Sequence, residues 1–119
     1  MADPIRLFTQ LEEWEQRCAA ADHAAEMTEE MYERAQADFN DLYDRAYLEI
    51  GLPGKLPAPM VKAQANLKVS EVWAMVIGEK ARWRKTKNEA DRIRIQSSIL
   101  RSLLGYTRAV MAAEGANTP

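Results

Sequence analysis

Five cations crowd into the eight residues Lys80-Ala81-Arg82-Trp83-Arg84-Lys85-Thr86-Lys87, with a tryptophan among them. Single-stranded nucleic acid is held by that combination: phosphates meet the charges and bases stack on the ring, at ~1–3 kcal/mol per base. The same lysines open a longer pattern, because Lys80, Lys87, Arg94, Arg101 and Arg108 stand seven residues apart. Seven residues span almost a whole number of helical turns, so on one helix the five side chains share a face. At ~1.5 Å per residue that row is roughly 40 Å long. Arg92 would widen the track, and Lys62 and Lys68 would join it from a neighbouring element. A second use competes with the first. The row flanks an apolar heptad seam, where cations commonly pair with acids of a facing helix such as Glu15, Asp22 and Glu29. Trp83 lies on that seam, where a ring is more often core than platform. The residues alone leave both uses open.

Other chemistry is sparse. His23 is the only histidine, so one chain assembles neither a His-based metal cluster nor a serine triad. Cys18, the only cysteine, sits on an apolar face and reads as a small core residue, not a nucleophile. Gly51-Leu52-Pro53-Gly54 lacks the Gly-Lys-Ser/Thr ending of a phosphate loop and follows a helix pattern, not a strand. The carboxylates of Glu12, Glu13, Glu15 and the run from Glu26 to Glu33 read as a solvated acidic face. No catalytic residue, cofactor or metal site is expected, and the chain reads as a non-enzyme.

The elements that must carry the row are helical. From Pro4 to about Ile50 no glycine or proline interrupts, and Asp3 followed by Pro4 is a favourable helix start. Apolar residues recur at three- and four-residue steps through Leu7, Leu11, Trp14, Cys18, Ala21, Ala24, Met27, Met31, Ala35, Phe39, Leu42, Ala46 and Ile50. A Gly/Pro-rich loop over 51–59 should follow, then a short helix over about 60–67. Ser70 reads as the N-cap of a second long helix to about Ala113, its seam running through Val69, Val72, Val76, Trp83, Ala90, Ile93, Ser97, Leu100, Leu104 and Met111. Trp73, Ile77, Ile95, Ile99 and Leu103 fall off that seam. The expectation is a single all-α domain over 1–114 with a disordered tail over 115–119.

Two helices roughly 65 Å long show each other one face and leave further apolar groups in water. An oligomeric helical bundle or coiled coil is therefore expected. Cys18 alone forms no internal disulfide, no signal peptide pattern opens the chain, and no apolar run approaches ~20 residues. A soluble cytoplasmic protein without a membrane partner is expected. The net charge of −2 hides a strong asymmetry. Residues 1–54 hold four arginines against thirteen acids, whereas residues 55–108 hold twelve cations against four acids. Such polarity points to a polyanion-binding half or to two halves that attract each other.

The order of features over residues 25–112 resembles a broad family of small helical bacteriophage proteins, and at greater distance the UvsY type of phage recombination mediator. The residues that carry it are Tyr43-Asp44-Arg45-Ala46-Tyr47-Leu48 before Gly51, then Val61-Lys62-Ala63, then Gln96-Ser97-Ser98-Ile99-Leu100-Arg101-Ser102-Leu103. The resemblance implies a ring-like homo-oligomer in the host cytoplasm that binds single-stranded DNA. It implies further that the protein helps a RecA-type recombinase displace single-strand-binding protein. Carried onto this chain, Lys80, Arg82, Arg84, Lys85 and Lys87 are the positions available for DNA. In that family the basic residues lie near the first helix and loop, where this chain has Arg45, Lys55 and Lys62.

Overall fold

A computed structural model describes residues 3–116, and all of their regular structure is α-helical. Helix α1 spans Pro4–Gly51, α2 spans Ala58–Lys68 and α3 spans Ser70–Ala116. The start of α1 follows from its first residues. The Asp3 carboxylate accepts a hydrogen bond from the Ile5 amide at 3.0 Å, and Pro4 occupies the first turn, where its missing N–H costs nothing. The turn after α1 needs glycine at one point: Gly54 has φ +68, and its amide closes onto the Gly51 carbonyl at 3.0 Å.

Three boundaries differ from the expected ones. Helix α2 begins at Ala58, ahead of Pro59, because a proline within the first turn gives up no helical hydrogen bond. Ser70 is the first residue of α3 and not its cap. The link between α2 and α3 is Val69 alone, whose amide bonds back to the Ala65 carbonyl while its own carbonyl accepts from Trp73 at 2.9 Å. Of the expected tail, Gly115 and Ala116 continue α3, and residues 117–119 lie outside the described range.

The chain packs as two compact units. The first takes residues 3–25 and 86–116, and its core is Leu7, Leu11 and Leu104 with Leu100 against them. The second takes residues 26–85, with Ala46, Ala65 and Val69 packed by Phe39, Tyr43 and Ile50.

Helix α3 keeps its expected seam through Leu104, but Met111 is 46% exposed. On α1 the seam departs from the expected line. It runs through Ala21, Ala25, Thr28, Tyr32, Ala35 and Phe39, leaving Met27 and Met31 about half exposed. The reason is geometric: a seam alternates three- and four-residue steps, whereas Ala21, Ala24 and Met27 take two threes in succession and drift off the face. Polar Thr28 therefore holds a buried position that apolarity alone assigns to a methionine. Beyond Phe39 the seam takes a second four-residue step to Tyr43, a stutter that leaves Leu42 outside.

Candidate nucleic-acid interface

In the first unit the antiparallel helices bring two arginines of the row to carboxylates of α1. The Arg94 guanidinium donates to Asp22 Oδ1 at 2.7 Å, and Arg101 donates to Glu15 Oε1 at 3.2 Å. A further contact joins Arg94 to Asp91 Oδ1 at 3.2 Å within α3. The partners step by seven residues on each helix, so the pairs repeat in register. All four side chains are well exposed, which limits each pair to ~0–1 kcal/mol. Lys87 and Arg108 are exposed on the same helix. Elsewhere in this unit the Arg17 guanidinium lies 4.8 Å over the Trp14 ring, Cys18 is half-buried on the seam and His23 is exposed.

The second unit holds Lys80, Arg82, Trp83, Arg84 and Lys85. Trp83 stacks on Tyr32 with ring centroids 5.5 Å apart and planes 14° from parallel, half-buried at the seam. Its stacking partner is thus already within the fold. The Arg82 guanidinium reaches Glu79 Oε1 at 3.4 Å, and the other carboxylate oxygen of Glu79 is buried without a hydrogen-bond partner. Lys80 is half-buried, while Arg84 and Lys85 are exposed. Among the described residues none of these three is ion-paired.

For Lys80 the facing helix explains why. Counting outward from the Tyr32–Trp83 stack, three residues back along α3 and four forward along α1, the register sets Lys80 level with Gln36. Gln36 is an amide whose Nε2 donates to Asn40 Oδ1 at 3.2 Å. A neutral residue thus stands where the arginines of the other unit meet carboxylates.

From the short helix, Lys62 is exposed, and Lys68 Nζ donates to Glu49 Oε2. That hydrogen bond, helped by the ammonium charge, holds the Glu49 carboxyl below its ordinary pKa. Lys68 is therefore engaged in tying α2 to α1.

A further aromatic stands beside the basic run. Trp73 stands seven residues before Lys80, in the same heptad row, and is 44% exposed. It packs on Phe39 at 4.9 Å between centroids, and the two rings with Asn66 and Ser70 line a cleft of about 380 Å³. Stepping the heptad back once from Lys80 finds it.

No three His, Cys, Asp or Glu side chains among the described residues gather into a group that could hold a metal ion. No described helix is long and apolar enough to cross a membrane. Set beside known protein families, curated proteins and solved structures, the chain matches none.

Proposed function

We propose that this chain is a non-enzymatic helical protein that binds single-stranded DNA without sequence preference, through the basic turn at residues 80–85. The observation that carries the reading is the difference in partners along one helix, α3. Arg94 and Arg101 are held by carboxylates, whereas Lys80, Arg84 and Lys85 have no ion pair among the described residues. Cations left without acids on a helix surface are available to phosphates. The resemblance to phage mediators adds the setting: an accessory of recombination or replication in the host cytoplasm, working with a RecA-type recombinase and single-strand-binding protein. Self-association belongs to the same reading. Ile95, Ile99, Leu103 and Tyr106 form an exposed apolar stripe on α3, each at least 41% exposed, which a second copy would cover.

Fluorescence anisotropy of labelled oligo-dT at two salt concentrations, with light scattering for mass, tests both parts. Binding by an oligomer that weakens steeply with salt is expected, because each phosphate contact releases counterions. Undetectable binding at low salt removes the proposal.

A second reading is favoured by the two interhelical pairs themselves. On it the chain is a coiled-coil interaction module, or a small phage inhibitor of a host protein, and the row serves only to set helix register. It expects a defined oligomer that ignores oligonucleotides and loses assembly when Arg94 and Arg101 are neutralised.

A further inference from the structure

The basic turn lies in line with an aromatic cleft. On α3, Trp73, Ile77, Lys80 and Arg84 fall at helical spacings of four, three and four residues, so they share one face of the second unit. Trp73 and Arg84 are ~16 Å apart along the axis. Trp73 keeps 44% of its surface exposed even with Phe39 packed against it, and Ile77 beside it is 53% exposed. The cleft is completed by Asn66 from α2 and by Ser70, and its lining carries no charge. An open indole with an amide and a hydroxyl at its margin suits a flat heterocycle, since Asn offers a donor and an acceptor and Ser a hydroxyl. A cation track beside such a platform suits a base whose phosphate continues outward.

We propose that the Trp73–Phe39 cleft seats one nucleobase of a single strand, stacked on Trp73, while the adjoining backbone runs to Lys80 and Arg84. The proposal rests on the single-stranded DNA reading and adds the base-recognising half of it. Trp83, spent on Tyr32, is not the platform.

The test compares oligo-dT with an abasic oligonucleotide of the same length, because the two share phosphates and differ only in bases. Wild type, Trp73→Ala and Trp73→Phe are titrated by anisotropy, with circular dichroism melts to confirm the fold and light scattering to follow mass. Wild type should prefer oligo-dT to the abasic strand. Trp73→Ala should weaken oligo-dT binding by roughly 5- to 150-fold and leave abasic binding unchanged. Trp73→Phe keeps a ring against Phe39 and should lose only a few-fold. Equal oligo-dT affinity in wild type and Trp73→Ala, or equal losses on both strands, overturns the cleft while leaving the basic turn standing. A change of oligomer mass in Trp73→Ala with oligo-dT affinity intact also overturns it, and assigns the cleft to contact between copies. Failure of wild type to bind either strand at low salt instead defeats the underlying reading.

Discussion

In the first unit Arg94 and Arg101 of α3 meet Asp22 and Glu15, while in the second unit Lys80 stands level with Gln36 and the row gives way to Trp73. Both units are built on antiparallel helices with the same heptad spacing, so geometry does not separate them. The facing residue does. In α1 the positions Glu15, Asp22, Glu29, Gln36 and Tyr43 also step by seven, passing from acid to amide to phenol. A row of evenly spaced cations is therefore two things on one helix: a register device where acids continue opposite, and an available charge where they stop. Neither the net charge nor the spacing alone separates these.

The largest expected effect breaks the comparison directly. Reversing the second unit's charges in Lys80→Glu/Arg84→Glu/Lys85→Glu should abolish oligo-dT binding with only a modest change in melting temperature, because among the described residues none of the three has an ion pair to lose. Neutralising the same three residues to Gln should flatten the log–log salt dependence by about 2, at ~0.7 per phosphate contact on a single strand. The first unit should behave in the opposite sense. Arg94→Gln/Arg101→Gln should leave affinity and salt slope within error and lower stability by at most ~1 kcal/mol per pair. If the arginine variant loses binding and the turn variant does not, the assignment of the two regions is reversed.

The two tryptophans of the second unit sharpen the same contrast. Trp83 is half-buried and stacked on Tyr32, so Trp83→Ala removes packing at the seam and should cost ~2–4 kcal/mol in urea unfolding. Trp73 is 44% exposed, and its truncation should cost less than half as much. Comparable losses at both positions would make Trp73 a core residue.

The helical order, the start at Asp3-Pro4, the α3 seam as far as Leu104 and the exposed apolar positions off it were all legible in the sequence, because each depends on local propensity and a fixed period. The α1 seam was legible only in part. Its line through Thr28 and Tyr32 depends on unbroken alternation of steps, and the apolar Met27 and Met31 point away from it. The pairing of Arg94 with Asp22 and Arg101 with Glu15 was available as a possibility, since all four residues flank seams. Choosing it required the register between helices distant in sequence, which no local pattern supplies. Trp73 was legible as an apolar residue off the seam, and its place beside the basic turn follows from carrying the Lys80 heptad one step back.

Glycines extend the comparison to backbone. Gly105, in the first unit, has open space where a Cβ would stand, whereas a Cβ at Gly51 would meet Val61 Cγ1 at 3.3 Å. Gly105→Ala should therefore stabilise by ~0.5–1 kcal/mol through reduced chain entropy in the unfolded state. Gly51→Ala should gain nothing, since the buried Val61 must shift to admit the methyl group. Thermal melts of the two variants decide. A destabilised Gly105→Ala with reduced oligomer mass would place another copy against that face of α3.

The smallest effect concerns the tie between α2 and α1 at Lys68 and Glu49. A carboxyl whose native pKa lies below its unfolded value contributes stability above the unfolded pKa, and that contribution fades as pH falls through the lowered native value. The hydrogen bond from Lys68 is the main cause of the lowering, so Lys68→Met should remove the effect and retain most of the aliphatic stem. Urea midpoints of wild type and Lys68→Met should differ near neutral pH and converge as the solution is acidified past the ordinary glutamate range. Both side chains are well exposed, so the difference should also shrink in high salt. Two curves that stay parallel to low pH would show that Lys68 steadies α2 by packing of its stem. In that case its ammonium would not be committed to Glu49, and Lys68 would be returned to the cations open to phosphate in the second unit.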